Sequence, residues 1–396
     1  MEQEQKQNER YKALLADARE KIATADAAMH ELIKDRCAAY EDVWQAKKAL
    51  NRPVRDPAKE ISKLLAARGQ EPNDSVGISH RAALAALMRV SRMDQYRRMH
   101  AEMTNQDWAL GKLISHAPTT MPEFKVAVNQ GTKASYSAQA AAHLFPQARL
   151  LQIATFMGAA QQVKDEIAPV AVLPLENTTA GTVDEVYGLL EHMGLYIIAS
   201  IDVPISHNIC VLPGAKLADI RQVTSHPQAL AQCSMFIKTM GWTERPVRNT
   251  AFAARDVAEI GDKSLAALAS ADAAEASGLD ILPVRVANNA VNTTRFVALA
   301  KQPIIVSDAN TLSVLVHLSH KSGALADFLS FLADYDINLK KIQSRPVPER
   351  PWEYSFYIDI EVPRDHPDIV EVLFAMDHEL DRMRVLGWYK QTQVSL

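Results

Sequence analysis

The spacing of hydrophobic residues separates an N-terminal helical region from the rest of the chain. In residues 10–104 the hydrophobic positions follow a helical period and glycine is nearly absent. This pattern predicts a long helix to about Leu50, a short helix after Pro57 and a third helix from about Ser79 to Met103. The two prolines of NRPVRDP separate the first helix from the second, because proline lacks a backbone donor and clashes with the preceding turn.

The middle and C-terminal regions show strand patterns as well as helical ones. From Lys125 to about Lys301, short hydrophobic runs such as PVAVLPLE, NICVLPG and TRFVALA alternate with helical segments, which is typical of α/β architecture. Further on, the runs LSVLVHLS, INLKKIQSRP, EYSFYIDIEV and RVLGWYK combine with two helical segments in the order βαββαβ. The composition of SHAPTTMPEF indicates a linker. The predicted parts are a helical domain (1–108), a linker (109–123), an α/β domain (124–303) and a smaller α+β domain (310–396).

Composition narrows the class of protein. A chain of 396 residues with 48% hydrophobic and 23% charged residues predicts a soluble globular protein with two or three domains. The net charge of −4 gives no general attraction to nucleic acid or to an anionic membrane. The polar start of the chain does not resemble a secretory signal, no hydrophobic stretch is long enough to span a membrane, and the three cysteines are widely spaced. We therefore expect a cytoplasmic protein that has neither nucleic acid nor membrane as a partner.

The first predicted helix carries cations on its hydrophobic face. Arg19, Arg36 and Lys47 share the stripe formed by residues such as Leu15 and Ile22. A cation on such a face is costly unless it is paired, and pairing with structural carboxylates is the alternative explanation for any one of them. Three together favour a binding site for an anionic ligand.

Distances along this helix suggest a second chain. Arg19 and Arg36 are about 25 Å apart along a helix that rises ~1.5 Å per residue, which is too far for both to hold one small molecule. Arg36 and Lys47 are about 16 Å apart and can converge through their long side chains. We therefore predict that Arg19 is supplied by a second copy of the chain in an intertwined helical dimer.

The segment from AREKIATADAAMHELIKDRC to NRPVRDPAKE resembles the all-helical chorismate mutase domain, in which a domain-exchanged dimer binds the dicarboxylate chorismate. The resemblance implies that Lys47 and Gln95 donate to the ether oxygen as it gains negative charge, and that Asp56 and Glu60 hold the ring-hydroxyl side. Ser91 lies one turn before Gln95 on the same helix face. Such a pericyclic step needs a held conformer and stabilised charge rather than a nucleophile. The implied site residues are Arg19, Arg36, Lys47, Asp56, Lys59, Glu60, Ser91 and Gln95, with Lys59 standing where the family usually has arginine.

In the middle region, polar residues follow two predicted strands directly before helices. Glu176 and Asn177 end one strand before a glycine-containing turn. In VTSHPQAL, Ser225 is the predicted N-cap and Pro227 lies in the first turn. Helix N-termini that face a cleft are anion sites, although each one alone is also explained as a capped helix start.

Together with TTRF, these segments resemble the prephenate dehydratase domain, whose fold is two α/β lobes around a cleft, like a periplasmic binding protein. The resemblance implies that Thr294 donates a hydrogen bond or a proton to the departing ring hydroxyl. Strand alternation puts Thr294 and Phe296 on one face and Arg295 on the other. Ala134 and Ser135 stand where the family usually has Gly and Ala, which predicts strain if that backbone needs a positive φ. The implied site residues are Glu176, Asn177, Ser225, His226, Gln228, Thr294, Arg295 and Phe296.

The C-terminal segments SGALADFL and IQSRPVPERPWEYSFYIDIE resemble the ACT regulatory domain of prephenate dehydratases. The resemblance implies a phenylalanine site between chains, formed by Gly323, Ala324, Leu325, Gln343, Ser344, Arg345 and Pro346. Gln343 replaces the usual glutamate, which removes one charge from that site. A structural ferredoxin-like lobe without a ligand is the alternative.

The three resemblances cover the chain from about residue 10 to residue 390 in the order mutase, dehydratase and ACT. They imply a bifunctional enzyme of phenylalanine biosynthesis that is inhibited by phenylalanine and forms a homo-oligomer. Neither GxGxxG nor GK[ST] occurs and no metal-ligand set is suggested, so no cofactor and no metal are expected. Two alternatives stay open at this point: arogenate as the dehydratase substrate, and an amino-acid sensor that has lost activity.

Overall fold

A computed structural model of the protein describes residues 2–67, 74–104, 107–289, 292–318, 323–347 and 353–394. The chain forms two compact units, one of Met1–Trp108 with Val370–Glu379 and one of Ala109–Ile369 with Leu380–Leu396. Among the described residues, no helix is both long enough and hydrophobic enough to span a lipid bilayer.

The elements are numbered in chain order. The helices are α1 (Glu2–Ala49), α2 (Pro57–Ala66), α3 (Ser75–Glu102), α4 (Ala109–His116), α5 (Tyr136–Leu144), α6 (Phe156–Lys164), α7 (Asp184–His192), α8 (Pro227–Gln232), α9 (Ser234–Met240), α10 (Thr250–Ile260), α11 (Ala271–Ala276), α12 (Ala324–Asp334) and α13 (Ile369–Glu379). The strands are β1 (Val126–Gln130), β2 (Arg149–Ile153), β3 (Ala171–Asn177), β4 (Gly181–Thr182), β5 (Tyr196–Pro204), β6 (Asn208–Val211), β7 (Gln222–Ser225), β8 (Thr243–Pro246), β9 (Leu265–Ala269), β10 (Asp280–Leu282), β11 (Thr293–Ala300), β12 (Thr311–Leu318), β13 (Asn338–Pro346), β14 (Tyr354–Glu361) and β15 (Arg382–Gln393).

The first unit is helical, as predicted. Asp56 caps α2 by accepting a hydrogen bond from the Lys59 backbone N–H at 3.2 Å, and proline occupies the first turn, where it sacrifices no helical hydrogen bond. Asp74 caps α3 by accepting from the Val76 N–H at 3.0 Å. Because this cap precedes the hydrophobic stripe, α3 begins earlier than the predicted Ser79.

The hydrophobic stripe of α1 is buried only near the end of the helix. Tyr40 and Trp44 are buried, whereas Leu15, Ile22 and Met29 are 51%, 60% and 51% exposed. The N-terminal half of α1 therefore presents a hydrophobic face that no described residue of the same chain covers.

The second unit contains two sheets. The larger has the strand order β13-β14-β12-β15-β5-β11-β3-β1-β2, with β4 paired to β3, and the smaller has the order β10-β6-β9-β7-β8. We call the part built on β1–β5 and β11 the first lobe, the part built on β6–β10 the second lobe, and the part built on β12–β15 the C-terminal region. Each lobe has its own hydrophobic core, so the predicted α/β architecture is confirmed.

The C-terminal region has the predicted βαββαβ order, and its last strand continues into the first lobe. The first part of β15 pairs antiparallel with β12, and Lys390 to Gln393 pair parallel with β5. Gly387 lies opposite Ser313 in the antiparallel part, three residues before the pairing with β5 begins. A Cβ atom there would lie 2.0 Å from the Ile197 carbonyl oxygen, so only glycine fits.

Two details differ from the sequence interpretation. The segment predicted as a linker begins with a helix, α4, and irregular backbone starts after His116. The strands β2 and β5 were not singled out from the sequence, although β5 lies between β15 and β11 in the larger sheet. The residues of β5 are nearly all hydrophobic because both faces of the strand are buried. Such a run does not distinguish a strand from a buried helix, so the sequence did not identify β5.

The close approach at Gly387 makes a stability prediction. We expect Gly387→Ala to lower the free energy of unfolding by about 1–3 kcal/mol, because the new methyl group overlaps a backbone carbonyl that cannot rotate away. This corresponds to a fall in Tm of about 2–10 °C, measured by circular dichroism on heating. The matched control is Gly188→Ala in α7, where a Cβ meets nothing within 4 Å and the change should be neutral or stabilising. An unchanged Tm for Gly387→Ala would contradict the described junction of β15 and β5.

Candidate active sites

In the helical unit, Lys47 is the predicted site residue with the clearest local environment. It is half-buried near the end of α1, and its ammonium donates to the Val54 carbonyl. The pKa of Lys47 is lowered: burial is the largest cause, and the nearby carboxylates of Glu60 and Asp56 oppose it. The residue therefore offers a partly desolvated cation next to two acids.

Lys47 lines a cavity of about 500 Å³ in this unit. Lys48, Arg52 and Arg55 also line it, which makes its wall strongly basic. Such a concentration of positive charge suits an anionic ligand more than a neutral one. The other predicted residues of this unit do not line the cavity.

Glu60 is held by an arginine that the sequence interpretation missed. Arg92 Nη1 donates to Glu60 Oε1 at 3.0 Å, and its Nε donates to Glu379, which belongs to the same unit. Burial acts to lower the pKa of Arg92, but Glu379 and Glu60 outweigh it and the pKa is raised. Arg92 follows Ser91 directly, so it lies within the SRMDQ motif. Its pairing with Glu60 depends on how α2 packs against α3, which the motif does not reveal.

Gln95 and Arg36 each leave a buried polar atom unpaired. Gln95 is 2% exposed, and its amide nitrogen donates to the Ser91 carbonyl at 3.0 Å. Gln95 Oε1 and Arg36 Nε have no hydrogen-bond partner among the described residues. Buried polar groups in proteins are almost always satisfied, so these two atoms lie where a polar ligand is most useful.

The remaining predicted residues of this unit lie apart from the cavity. Arg19 is exposed on the N-terminal half of α1, and its role in a site of a second copy of the chain stays a prediction. Lys59 is exposed and lies 3.9 Å from Asp56. Asp56 itself serves as the cap of α2.

In the second unit, Asn177 and Thr294 come together at the ends of β3 and β11. They are paired in the antiparallel ladder, and Asn177 Nδ2 donates to Thr294 Oγ1 at 2.9 Å. Thr294 is 8% exposed, and no described residue accepts its hydroxyl proton. The threonine therefore accepts from the protein and keeps its own proton free to donate.

Two backbone amides fix the direction of this hydrogen bond. Asn177 Oδ1 accepts from the N–H groups of Thr179 and Ala180, each at 2.9 Å. Since a backbone N–H is only a donor, the oxygen of the Asn177 amide must face this turn and its nitrogen must face Thr294. The same nitrogen donates to Asn292 Oδ1 at 2.7 Å.

The network continues into the second lobe through Gln232. Asn292 Nδ2 donates to Gln232 Oε1 at 3.1 Å, and Gln232 Nε2 donates to Thr179 Oγ1 at 2.8 Å. His207 Nε2 lies 2.7 Å from Gln232 Oε1 and is therefore the donor. Burial lowers the pKa of His207, which favours the neutral ring in that tautomer. Thr179, Gln232 and Asn292 line a cavity of about 320 Å³ between the lobes.

The structure corrects the predicted N-cap of the helix that follows Ser225. The N-cap of α8 is His226, whose Nδ1 accepts from the Gln228 N–H at 3.2 Å, so the prediction of Ser225 as the cap is wrong. Ser225 ends β7, is fully buried and donates to the Leu268 carbonyl at 2.7 Å. Gln228 lines the interlobe cavity. Burial lowers the pKa of His226.

Glu176 and Arg295 lie on the opposite side of the same two strands. Arg295 Nη1 donates to Glu176 Oε1 at 2.8 Å, and its Nε donates to Asp202 Oδ1 at 2.8 Å. Lys341 of β13 binds the other oxygen of Glu176. Both predicted substrate ligands are therefore satisfied by ions of the chain itself, because alternation along β3 and β11 turns them away from Asn177 and Thr294. Phe296 is buried on the Thr294 face.

The backbone near Ala134 is not strained. Among the described residues other than glycine, a positive φ occurs at Asn51, Glu166 and Asp336 and not at Ala134. Ser135 is the N-cap of α5 and accepts from the Ala138 N–H at 3.3 Å. The expectation of strain at this departure from the family pattern is therefore wrong.

The predicted effector residues lie on two elements of the C-terminal region. Gly323 precedes α12 with a φ of 88°, and Ala324 and Leu325 begin that helix. Gln343 and Arg345 lie half-buried on one face of β13, whereas Ser344 and Pro346 are exposed. Arg345 Nη1 donates to Asp184 Oδ1 at 2.9 Å.

Sequence reasoning missed several polar residues around the cleft. Asn292 directly precedes the TTRF motif, so the sequence alone could have identified it as a candidate. His207, Thr179 and Gln232 stand among ordinary turn and helix residues, and no local pattern separates them from surface positions. Lys341 sits on an amphipathic strand next to Lys340, and only the folded chain distinguishes the two.

Comparison with known proteins identifies the family of two parts of the chain. The family model for prephenate dehydratase matches residues 127–304, and the model for the ACT domain matches residues 312–377. A bifunctional chorismate mutase/prephenate dehydratase of Escherichia coli (strain K12) is 31% identical over 384 residues, which is 95% of this chain and 96% of that protein. Arogenate dehydratase 3 of Arabidopsis thaliana is 35% identical over 300 residues, 71% of this chain and 70% of that protein.

A solved structure gives the same fold for the second unit. The prephenate dehydratase of Arthrobacter aurescens in complex with L-Phe matches with a TM-score of 0.61 at 25% identity, covering 67% of this chain and 89% of that one. The full-length match to the Escherichia coli enzyme also includes the helical unit. The chain therefore belongs to the family of bifunctional chorismate mutase/prephenate dehydratases with a C-terminal ACT domain.

Proposed function

We propose that the chain converts chorismate to prephenate in its helical unit and prephenate to phenylpyruvate in the cleft between its two lobes. The observation that supports this proposal is the Asn177–Thr294 pair, in which a buried hydroxyl keeps its own proton and Asn177 also binds Asn292, a residue that lines the interlobe cavity. Together the two steps form part of phenylalanine biosynthesis, and phenylalanine is the feedback inhibitor.

The first reaction is a Claisen rearrangement, in which one C–O bond breaks and one C–C bond forms within the same molecule. The protein has only to hold the reactive conformer and to stabilise negative charge on the ether oxygen. Lys47 supplies a partly desolvated ammonium for that oxygen and Arg36 Nε supplies a further donor. The unpaired Gln95 Oε1 is an acceptor and needs a donor from the substrate, while the Gln95 amide nitrogen donates to Ser91. We assign Glu60, which Arg92 holds, to the ring-hydroxyl side.

The second reaction removes the ring carboxylate and the ring hydroxyl of prephenate. The electrons of the breaking C–CO2 bond enter the ring, and the hydroxyl leaves with the electrons of its C–O bond. Thr294 donates a proton to this hydroxyl, so that carbon dioxide, water and aromatic phenylpyruvate result, and solvent restores the threonine proton. Asn177 keeps the Thr294 oxygen in the accepting role, which holds its proton toward the substrate.

The assembly and its location are also part of this proposal. The exposed stripe on α1 supports a homo-oligomer in which a second copy covers Leu15, Ile22 and Met29 and contributes Arg19. The ACT match and the phenylalanine-bound relative support phenylalanine as the effector. A cytoplasmic location and a reaction without cofactor complete the proposal.

A second candidate for the dehydratase substrate is arogenate, which carries an amino group where prephenate has a keto group. It is favoured by the similarity of this chain to an arogenate dehydratase. An inactive amino-acid sensor is less favoured, because the backbone at Ala134 adopts an ordinary conformation.

One coupled assay tests the whole proposal. Purified full-length protein is given chorismate, and loss of chorismate and gain of phenylpyruvate are followed with and without phenylalanine. Both signals should appear and the second should fall when phenylalanine is added. Turnover of arogenate in place of prephenate would select the second candidate, and absence of both signals would refute enzyme function.

The role of Thr294 makes a mutational prediction. Thr294→Val preserves the shape but removes the hydroxyl, so dehydratase kcat should fall about 10²–10⁴-fold. Thr294→Ser restores a hydroxyl at the same place and should retain most of the turnover. Mutase turnover of both variants should match that of the unmodified chain, because Thr294 is in the other unit. Equal losses of both activities in Thr294→Val would contradict separate sites.

The lowered pKa of Lys47 makes a pH prediction. If the ammonium stabilises the ether oxygen, mutase activity is full below the pKa of Lys47 and is lost as pH rises through it. Because burial lowers this pKa, the loss should begin at a lower pH than the pKa of about 10.4 of a free lysine. Pre-steady-state mutase rates across the alkaline range measure this loss of activity.

Lys47→Ala is the matching control for the loss of mutase activity at alkaline pH. It should abolish most mutase turnover and leave dehydratase turnover unchanged. A mutase rate that stays constant through the alkaline range, or that survives Lys47→Ala, would show that this ammonium has no part in the reaction.

A further inference from the structure

The charged side chains behind the Asn177–Thr294 pair include one from outside the two lobes. On the rear face of β3 and β11, Glu176 and Arg295 are ladder partners, directly next to the pair formed by Asn177 and Thr294. Lys341, which lies on β13 of the C-terminal region, completes this cluster through its bond to Glu176. The C-terminal region therefore contacts the same two strand ends that hold the reacting hydroxyl.

Lys341 contacts the elements on both sides of the turn that orients Asn177, the end of β3 and the first turn of α7. Its ammonium binds Glu176, the residue just before Asn177, and donates to the Tyr187 hydroxyl at 2.5 Å in α7. Between these two contacts lie Thr179 and Ala180, whose amides fix the direction of the Asn177 side chain. A movement of β13 that carried Lys341 away would release this turn at both ends.

A second cation on the same face of β13 also binds the first lobe. Arg345, two alternations further along the strand, donates to the Asp184 side chain at 2.9 Å and to the Asp184 carbonyl at 3.1 Å. Asp184 is the first residue of α7. The strand thus binds the start of α7 as well as the end of β3, and Gln343 lies between the two cations on the same face.

The cluster is short of positive charge, which makes Lys341 important to it. The cations Arg295 and Lys341 face the carboxylates of Glu176, Asp202 and Asp359. Burial is the largest cause of the raised pKa of Asp359. Without Lys341, Arg295 alone would balance three partly buried acids, and Glu176 would lose one of its two ionic partners.

We propose that Lys341 is a positioning residue of the dehydratase reaction, which holds the β3–α7 turn so that Asn177 keeps Thr294 in its donating orientation. A ligand that shifts β13 alters the turn through this lysine, and this is the route by which phenylalanine lowers dehydratase turnover. The inference rests on the proposed dehydratase function and adds a residue and a route of regulation to it.

The neighbouring lysine provides a matched control. Lys340 lies on the opposite face of β13 and donates to Thr311 Oγ1 at 3.1 Å within the C-terminal region. Lys340→Met and Lys341→Met remove the same charge from adjacent positions of one strand. Only the second removes a contact with the first lobe.

The experiment compares these two variants in the full-length chain. We expect Lys341→Met to lower dehydratase kcat about tenfold while KM for prephenate changes less than about twofold, since the lysine does not touch the cleft. The inhibition by phenylalanine should weaken in proportion, and mutase turnover in the same preparation should stay constant. Lys340→Met should match the unmodified chain in all of these measurements.

A double-mutant cycle guards against a variant that merely folds poorly. Glu176→Gln should lower kcat as Lys341→Met does, and the double variant, which removes one charge of each sign from the cluster, should lose no more than either single variant. Losses that multiply in the double variant would refute coupling through this pair. So would an active enzyme in which Lys341→Met and Lys340→Met behave alike. A chain that forms no phenylpyruvate in any variant would instead refute the dehydratase function itself.

Discussion

The proposed dehydratase site depends on one local constraint, the pair of backbone N–H groups of Thr179 and Ala180 that bind Asn177 Oδ1. Because these donors cannot reverse, they set the orientation of the Asn177 amide, and that amide sets the orientation of the Thr294 hydroxyl. The direction of every later bond in the network, through Asn292 and Gln232, follows from the same turn. The chemistry of the cleft thus rests on the conformation of a few backbone residues between β3 and α7.

Strand alternation allows these strand ends to serve two purposes. On the front face, neutral side chains hold a hydroxyl ready to donate, and on the rear face Glu176 and Arg295 form ion pairs with Lys341 and Asp202. Charges placed on the front would compete with an anionic substrate, whereas on the rear they bind the sheet to the C-terminal region. The continuity of β15 from β12 to β5 makes this connection stiff, since one strand belongs to both parts.

The helical unit follows a different design. Its cavity is basic, the buried atoms Gln95 Oε1 and Arg36 Nε lack described partners, and the N-terminal half of α1 leaves its hydrophobic face exposed. Each of these features is costly in an isolated chain, because buried polar groups need partners and apolar surface is better covered. In the proposed function, a substrate carboxylate pairs with Arg36 Nε and a second copy of the chain covers the exposed face of α1.

The sequence by itself determined the helical N-terminal region, the α/β middle and the βαββαβ ending, and its motifs singled out Asn177 and Thr294, which the structure brings together, because periodicity and short motifs report local geometry and burial. Only the tertiary structure decided which polar side chains meet. His207 and Gln232 join the cleft because the lobes face each other there, and Arg92 reaches Glu60 because α2 packs on α3. The tertiary structure also showed that Glu176 and Asn177, which belong to one sequence motif, point to opposite faces of the sheet and have different partners. The physical reason is that a hydrogen bond or an ion pair between distant segments depends on sheet register and packing, and neither is encoded in the spacing of residues along the chain.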